Sequence, residues 1–399
     1  MANIAVKVGL PVVALLAVLF QVYLKDAVWF GLGIGRTIQP LSDFPYTCRA
    51  IRDPRLEACE DMWLSESTRQ LFLACSDPIA RGKWMPTVGD FNYTARSQKD
   101  AIVVLDIDKP VEQGFAFRAL KTPGFTGTAG DGLLSLVGFS AVENIDEGTI
   151  SLLLINNRPS VDAETGAYLD HASVGANATV ELFETGLEAT ELKHVHTFAN
   201  QHIASPNRVA AMGRDSFYVS NSHGPNKVGL KHLFAPIIGA GDVTFCDKAT
   251  GCKPAVGGLS FPNGLVRGLD GLIYVPSSLL GTVDVFRVLP DNALGKVETI
   301  PVGFSLDNLS VDKNGDIFVA AFPVGLEVYK AYKDPYNAHA PATALRIRKQ
   351  EGGYVVEKII EDALGEALPV ATTVLHDAKT GRLFLSSVIS PFITVCDPK

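Results

Sequence analysis

Six times along the chain one short pattern returns, and no other feature restricts the fold so strongly. It is a small or polar residue, an apolar strand of about four residues, a turn, and a second apolar strand that ends in small polar residues. The copies begin at Glu60 (Glu-Asp-Met-Trp-Leu), Gly138 (Gly-Phe-Ser-Ala-Val), Pro206 (Pro-Asn-Arg-Val-Ala-Ala-Met), Pro262 (Pro-Asn-Gly-Leu-Val), Asp307 (Asp-Asn-Leu-Ser-Val) and Thr372 (Thr-Thr-Val-Leu). Their spacing runs from roughly 45 to roughly 80 residues, the length of a four-stranded blade with loop insertions. Other β-rich runs, such as Ala101–Ile107, Ile150–Asn156 and Thr282–Leu289, lie between clusters of Gly, Asn, Asp and Pro, and helical periodicity is nearly absent. The expected fold is all-β, a six-bladed β-propeller over residues 41–399, preceded by an N-terminal hydrophobic helix within residues 1–40. A sandwich or a two-domain β protein is the competing architecture, and the sixfold repetition disfavours it.

The first strand of each blade lines the axis of a propeller, so the residues that start the copies converge at one end of a central tunnel. They are Glu60 and Asp61, Asn207, Asn263, and Asp307 with Asn308: carboxylates and amides from four blades. Hard cations with flexible coordination want such oxygens, and six to eight of them make a calcium site. Zinc would want His or Cys, which none of these positions supplies. The plainer reading is that Asn and Asp start strands because they make turns; four matched copies argue for more than that. A calcium ion so held would polarise an ester or lactone carbonyl and stabilise the oxyanion formed when water attacks.

Composition limits the partners. There are 35 Lys and Arg against 43 Asp and Glu, a formal net charge of -8, with no basic cluster, which excludes nucleic acid as a ligand. Between Lys7 and Lys25 the 17 residues Val8–Leu24 have Gln21 as their only strongly polar member. That length is short for a bilayer span, although flanking lysines can snorkel. No small-x-small cleavage site follows, so an uncleaved signal-anchor is expected rather than a removed signal peptide. Either way the chain enters the secretory route and ends membrane-anchored or extracellular.

Six cysteines suit that oxidising environment, and none is arranged as a zinc site. Cys246 and Cys252 enclose the turn-like Asp-Lys-Ala-Thr-Gly and are placed to bridge a hairpin. Cys48 and Cys396 stand near opposite ends of the folded part, where a bond would close the ring. Asn92 and Asn177 are expected glycosylation sites, and Asn308 also lies in a sequon. His194-Val-His196 would share a strand face and could hold a transition metal, but no third ligand stands at recognisable spacing.

At these residues the chain resembles the paraoxonase (arylesterase/lactonase) family of calcium-dependent propeller hydrolases, from about Arg36 to Cys396. Arg36-Thr-Ile-Gln-Pro-Leu, Glu60-Asp61, Phe261-Pro-Asn-Gly264 and Leu306-Asp-Asn-Leu-Ser-Val311 carry the likeness. The resemblance implies a catalytic calcium bound by Glu60, Asn207, Asn263, Asp307 and Asn308, and a small ester or lactone as substrate. It also implies a histidine dyad, but the matching positions hold Val137 and Arg158. A second, structural calcium would use the acid at Asp61 with an acid at the position of Arg208, so the guanidinium is expected to replace that ion by pairing with Asp61. His223, in Ser-Asn-Ser-His-Gly, matches a family histidine and is the candidate general base; Glu60 or Asp307 would otherwise activate water, as in gluconolactonase-type propellers. A noncatalytic, calcium-stabilised propeller that binds a partner is the alternative function, and strictosidine-synthase-like condensation a weaker third.

Overall fold

The computed structural model describes residues 2–112, 114–127, 130–367 and 369–399, with backbone only for residues 2–9, 23 and 27. Each sequence repeat is the inner hairpin of a four-stranded antiparallel sheet, and there are six such sheets. The inner strands are Asp61–Ser65, Leu136–Asn144, Pro206–Ala211, Val266–Arg267, Ser305–Val311 and Thr373–Asp377, which define blades 1 to 6. Each inner strand touches the next, and the last touches the first, so the ring closes.

Period-two alternation explains how the blades stack. In blade 1, Leu71, Leu73 and Cys75 pack into a cluster shared with blade 6, while Phe72 and Ala74 pack into one shared with blade 2. The same division gives apolar clusters between blades 2 and 3, 3 and 4, 4 and 5, and 5 and 6. A strand buried on both faces reads as a continuous apolar run, which is why Gln70–Cys75 and Ile317–Phe322 carry so little polar sequence.

Blade 6 is a composite. Its outer strand, Tyr46–Ile51, comes from the start of the folded part and pairs with Ile393–Pro398 in the register Cys48↔Cys396. The Cys48–Cys396 disulfide fastens that seam across a sequence separation of 348. Cys246–Cys252 bridges a hairpin of blade 3, and a third bond, Cys59–Cys75, ties the residue before Glu60 to the end of the neighbouring strand. That last pair escaped the sequence reading because neither spacing nor symmetry singles it out.

The connection from the second to the third strand of every blade leaves at the end where the inner strand begins. Four of these connections are long and build a roof there: Pro78–Arg81 with the two-stranded Trp84–Met85 and Asp90–Phe91 in blade 1, His171–Val174 in blade 2, Gly229–Ile238 in blade 3 and Gly325–Lys333 in blade 5. At the opposite end the hairpin turns are short.

The N-terminal segment is helical over Ala2–Leu19 and Lys25–Leu32, joined by a widened turn at Phe20–Leu24. Among the described residues no helix is long and apolar enough to cross a membrane; Val8, Gly9 and Tyr23 of the apolar stretch lie outside the described side chains. The second helix packs on Gly325–Lys333 of the roof. Arg36 then donates to the Gly303 carbonyl over the Phe304 ring, and the Gln39 N–H donates to Glu361, so the lead-in is tied to the ring's outside.

Removing the seam disulfide with Cys48→Ala/Cys396→Ala is expected to lower unfolding free energy by about 2–5 kcal/mol while leaving the circular dichroism of the folded state unchanged. Denaturant titration checks this, and equal midpoints for both proteins would show that strand pairing alone holds the seam.

Candidate metal centre

Every sequence-predicted oxygen ligand stands at the same end of the axis and is nine-tenths buried or more: Glu60, Asn207, Asn263, Asp307 and Asn308. The backbone delivers them in a shared way. Ala58, Phe261 and Val370 are left-handed, with φ of 45°, 49° and 50°, and each lies two residues before the position that begins an inner hairpin: Glu60, Asn263 and Thr372. Non-glycine residues rarely adopt this conformation, and a β-branched Val there is a strained exception.

Hydrogen bonds set which atoms look inward. Asn308 donates Nδ2 to Glu60 Oε1 at 3.3 Å and to Thr373 Oγ1 at 3.0 Å; Asn263 donates Nδ2 to Ser278 Oγ at 2.9 Å. Their amide oxygens therefore turn the other way. Asn207 Oδ1, Asn263 Oδ1, Asp307 Oδ1 and Asn308 Oδ1 are all buried without any hydrogen-bond partner. A buried acceptor left unpaired costs about 1–3 kcal/mol, so four from three adjacent blades form a set that awaits a positive charge.

The carboxylates give the same message. Glu60 is pushed up to about 7, chiefly by burial, against the pull of Arg81 and with the push of Asp61. Asp307 is raised well above the ordinary carboxylate range by burial, then by Glu60 and Asp61. Burial and neighbouring carboxylates thus work against the charged form of both groups, and a positive charge placed among them would relieve it. Two carboxylates with three amide oxygens fit calcium better than a transition metal.

Asp61 stands apart from this set. Its Oδ2 accepts from Arg208 Nε at 2.7 Å and from the Phe139 N–H at 2.9 Å, and its Oδ1 accepts from the Met62 N–H at 2.8 Å. Arg208 also donates to the Leu309 carbonyl. A guanidinium from blade 3 thus joins blades 1 and 5 just beneath the cage. The expected pairing of Arg208 with Asp61 is present, and the oxygens of Asp61, also a candidate ligand, are engaged by the arginine and by backbone amides.

His223 also departs from expectation. Its Nδ1 faces the His232 carbonyl at 2.8 Å and its Nε2 faces the Thr87 carbonyl at 2.9 Å, and the ring stacks on His232 at 3.7 Å. Burial holds its pKa below the usual histidine value. With both nitrogens against carbonyls, the ring has none free for a substrate; it clamps the blade 1 roof to the blade 3 roof. Val137 lies in the core and Arg158 bonds the Asn177 carbonyl, so neither dyad position offers a proton carrier. Asn92 and Asn177 are exposed, whereas Asn308 is fully buried.

Sequence reasoning passed over several neighbours of the cage. Thr372 donates to Glu60 Oε2 at 3.0 Å, and Thr373 to the Glu60 carbonyl at 2.9 Å. The signal was present, since Thr372 begins the sixth repeat, but a hydroxyl there reads as a turn residue. Buried Arg81 donates to the carbonyls of Leu136 and Ala58. Among the described residues no three His, Cys, Asp or Glu side chains assemble as a metal site. His194 instead bonds the buried Glu181 at 3.1 Å, which leaves the transition-metal reading of His194 and His196 without support.

Comparison with known proteins places this geometry. Residues 160–354 match the Arylesterase family model. That span contains Asn207, Asn263, Asp307 and Asn308, the four residues with unpartnered oxygens. The chain is 32% identical over 175 residues to serum paraoxonase/arylesterase 2 of Gallus gallus, covering 43% of this chain and 48% of that protein. It is 25% identical over 205 residues to serum paraoxonase/arylesterase 1 of Homo sapiens, covering 51% and 53%. The chain spans about half the length of the curated relatives it matches, and the resemblance to the paraoxonase/arylesterase family read from the sequence is borne out. In structure it is similar to a gluconolactonase from Xanthomonas campestris, at TM-score 0.48 and 12% identity over 92% of this chain and 99% of that one.

Two substitutions test the local physics. Arg208→Met is expected to cost about 3–5 kcal/mol by stranding a buried carboxylate, and Asp61→Leu in the same chain to restore most of it. Additive losses in a double-mutant cycle by thermal unfolding would mean that the pair does not carry the coupling. Gly264→Ala would set a Cβ 1.9 Å from Asn308 Oδ1 and 2.5 Å from Asn308 Cα, so it should displace that oxygen and weaken calcium binding in a folded protein. Unchanged calorimetric affinity would count against Asn308 as a ligand.

Proposed function

We propose that the chain is a calcium-dependent hydrolase of carboxylic esters, acting on lactones and aryl esters. The observation that carries this reading is the set of four unpartnered, buried amide and carboxylate oxygens on the propeller axis. The activity for which the relatives are named, arylesterase, supports the chemistry.

Glu60, Asn207, Asn263, Asp307 and Asn308 would hold the ion. When bound, calcium supplies a Lewis acid for a substrate carbonyl and a counter-charge for the oxyanion. The chain's own groups do the rest. Asp307, with one oxygen free of hydrogen bonds, and Glu60 are the acid–base groups at the floor of the site, and one of them takes the proton of the attacking water. Thr372 and Asn308 hold the Glu60 carboxyl and Thr373 holds its backbone carbonyl, so that its orientation is set before reaction. The roof helices exclude bulk water and bring exposed apolar residues, Leu230, Leu233 and Leu326, to the same end, which suits a neutral or hydrophobic ester that partitions toward a lipid surface. One oxidising compartment and a membrane-associated or extracellular location fit three disulfides with no free cysteine.

Val137 and Arg158 at the dyad positions favour a second reading, a noncatalytic propeller in which calcium only stabilises the ring. Turnover of a panel of lactones and aryl esters, with and without chelator, separates the two. Under the first reading chelation abolishes hydrolysis, and Asp307→Asn or Asn263→Ala lowers kcat/KM by about 100-fold or more. Full activity in the Asp307 variant would remove the proposed site. Calcium that raises Tm with no turnover on any substrate would establish the second reading.

A further inference from the structure

Below Arg208 the axial channel widens into a cavity of about 520 Å³ that opens at the end opposite the oxygen cage. Its walls are the second halves of the inner strands, with Trp63, Leu265 and Leu375 among its apolar lining residues, and its mouth is formed by the short hairpin turns. Nothing in the hydrolytic reading uses this space.

Its lining carries three cations, Arg208, Arg267 and Lys313, and two acids, Glu66 and Asp312. Arg208 closes the inner end; it is buried, spends Nε on Asp61 and Nη1 on the Leu309 carbonyl, and has no protein partner for Nη2 among the described residues. At the mouth stand Arg267 and Lys313, both exposed. Arg267 has one long hydrogen bond, 3.4 Å to the Met212 carbonyl, and among the described residues neither cation has a carboxylate within 4.0 Å. The two acids that line the cavity are already engaged. Glu66 shares Arg69 with Asp377 and Asp108, at 3.3, 2.5 and 3.4 Å, and Asp312 accepts from His376 Nδ1 at 2.8 Å and from the N–H groups of Asn314 and Asp316 at 2.9 and 3.0 Å.

A space of ligand size that combines apolar wall with a few convergent donors has the make-up of a binding site rather than a packing fault. We propose that the far end of the channel binds a small organic anion, a carboxylate with an apolar body. The carboxylate takes the free donor of Arg208 at the closed end, the apolar body lies against Trp63 and Leu375, and Arg267 and Lys313 at the mouth draw the anion in. This site is separate from the cage and does not depend on the chain being a hydrolase.

Isothermal titration of the full chain with octanoate, and with 1-octanol as its neutral counterpart, tests the proposal. Octanoate should bind saturably at one per chain, in calcium and in chelator alike, and octanol should not. Arg267→Gln/Lys313→Gln, both at exposed positions, should weaken octanoate by about tenfold or more, equivalent to about 1.4 kcal/mol. Arg208→Lys keeps a cation for Asp61 but removes the fork, and should weaken it as well. Absence of saturation up to about 10 mM, where even a millimolar site would be filled, overturns the proposal. So do octanol binding as tightly as octanoate, and an affinity that the double variant leaves unchanged.

Discussion

The structure depends on one electrostatic constraint: acidic and amide oxygens from several blades are buried together on an axis that water cannot fully solvate. Burial raises both Glu60 and Asp307, Asp61 pushes both further, and Glu60 adds to the rise of Asp307. Such a centre persists only because the surrounding ring is rigid and because positive charge is available to it. The ring supplies the rigidity through six apolar seams between sheets, a composite last blade and a disulfide across the join. Part of the charge is built into the chain as Arg208 and Arg81, and the oxygens left without partners mark the place of the rest.

Seen this way, Arg208 divides the channel. On one side Asn207, its neighbour in sequence, points an oxygen into the cage; on the other, the arginine itself closes the far cavity. A fixed guanidinium balances Asp61 at every calcium concentration, which an exchangeable ion does not. The contacts among blades 1, 3 and 5 that Arg208 makes therefore do not depend on what the cage holds.

The roof follows from connectivity. Because each second strand runs back toward the start of the first, every long connection emerges beside the cage, and the short turns are left to the other end. His223 and His232 join two of these connections through stacking and backbone carbonyls. A histidine beside the cage thus serves shape, with both ring nitrogens against backbone carbonyls.

Much of this was legible in the sequence. Six repeats fix the number of blades because an apolar strand with two buried faces must find a sheet on each side, and the repeat starts name the cage because symmetry carries equivalent positions to one axis. Cys48 and Cys396 were readable for the same reason, as the two ends of a ring. What the sequence left open is what contacts across blades decide. Whether Asp61 faces a metal or an arginine, whether the His223 nitrogens are free, which oxygen of Asn263 or Asn308 looks inward, and that Arg267 and Lys313 share a cavity all depend on neighbours tens to hundreds of residues away. Such hydrogen bonds and charges have no period along the chain, so only the folded structure could choose among them.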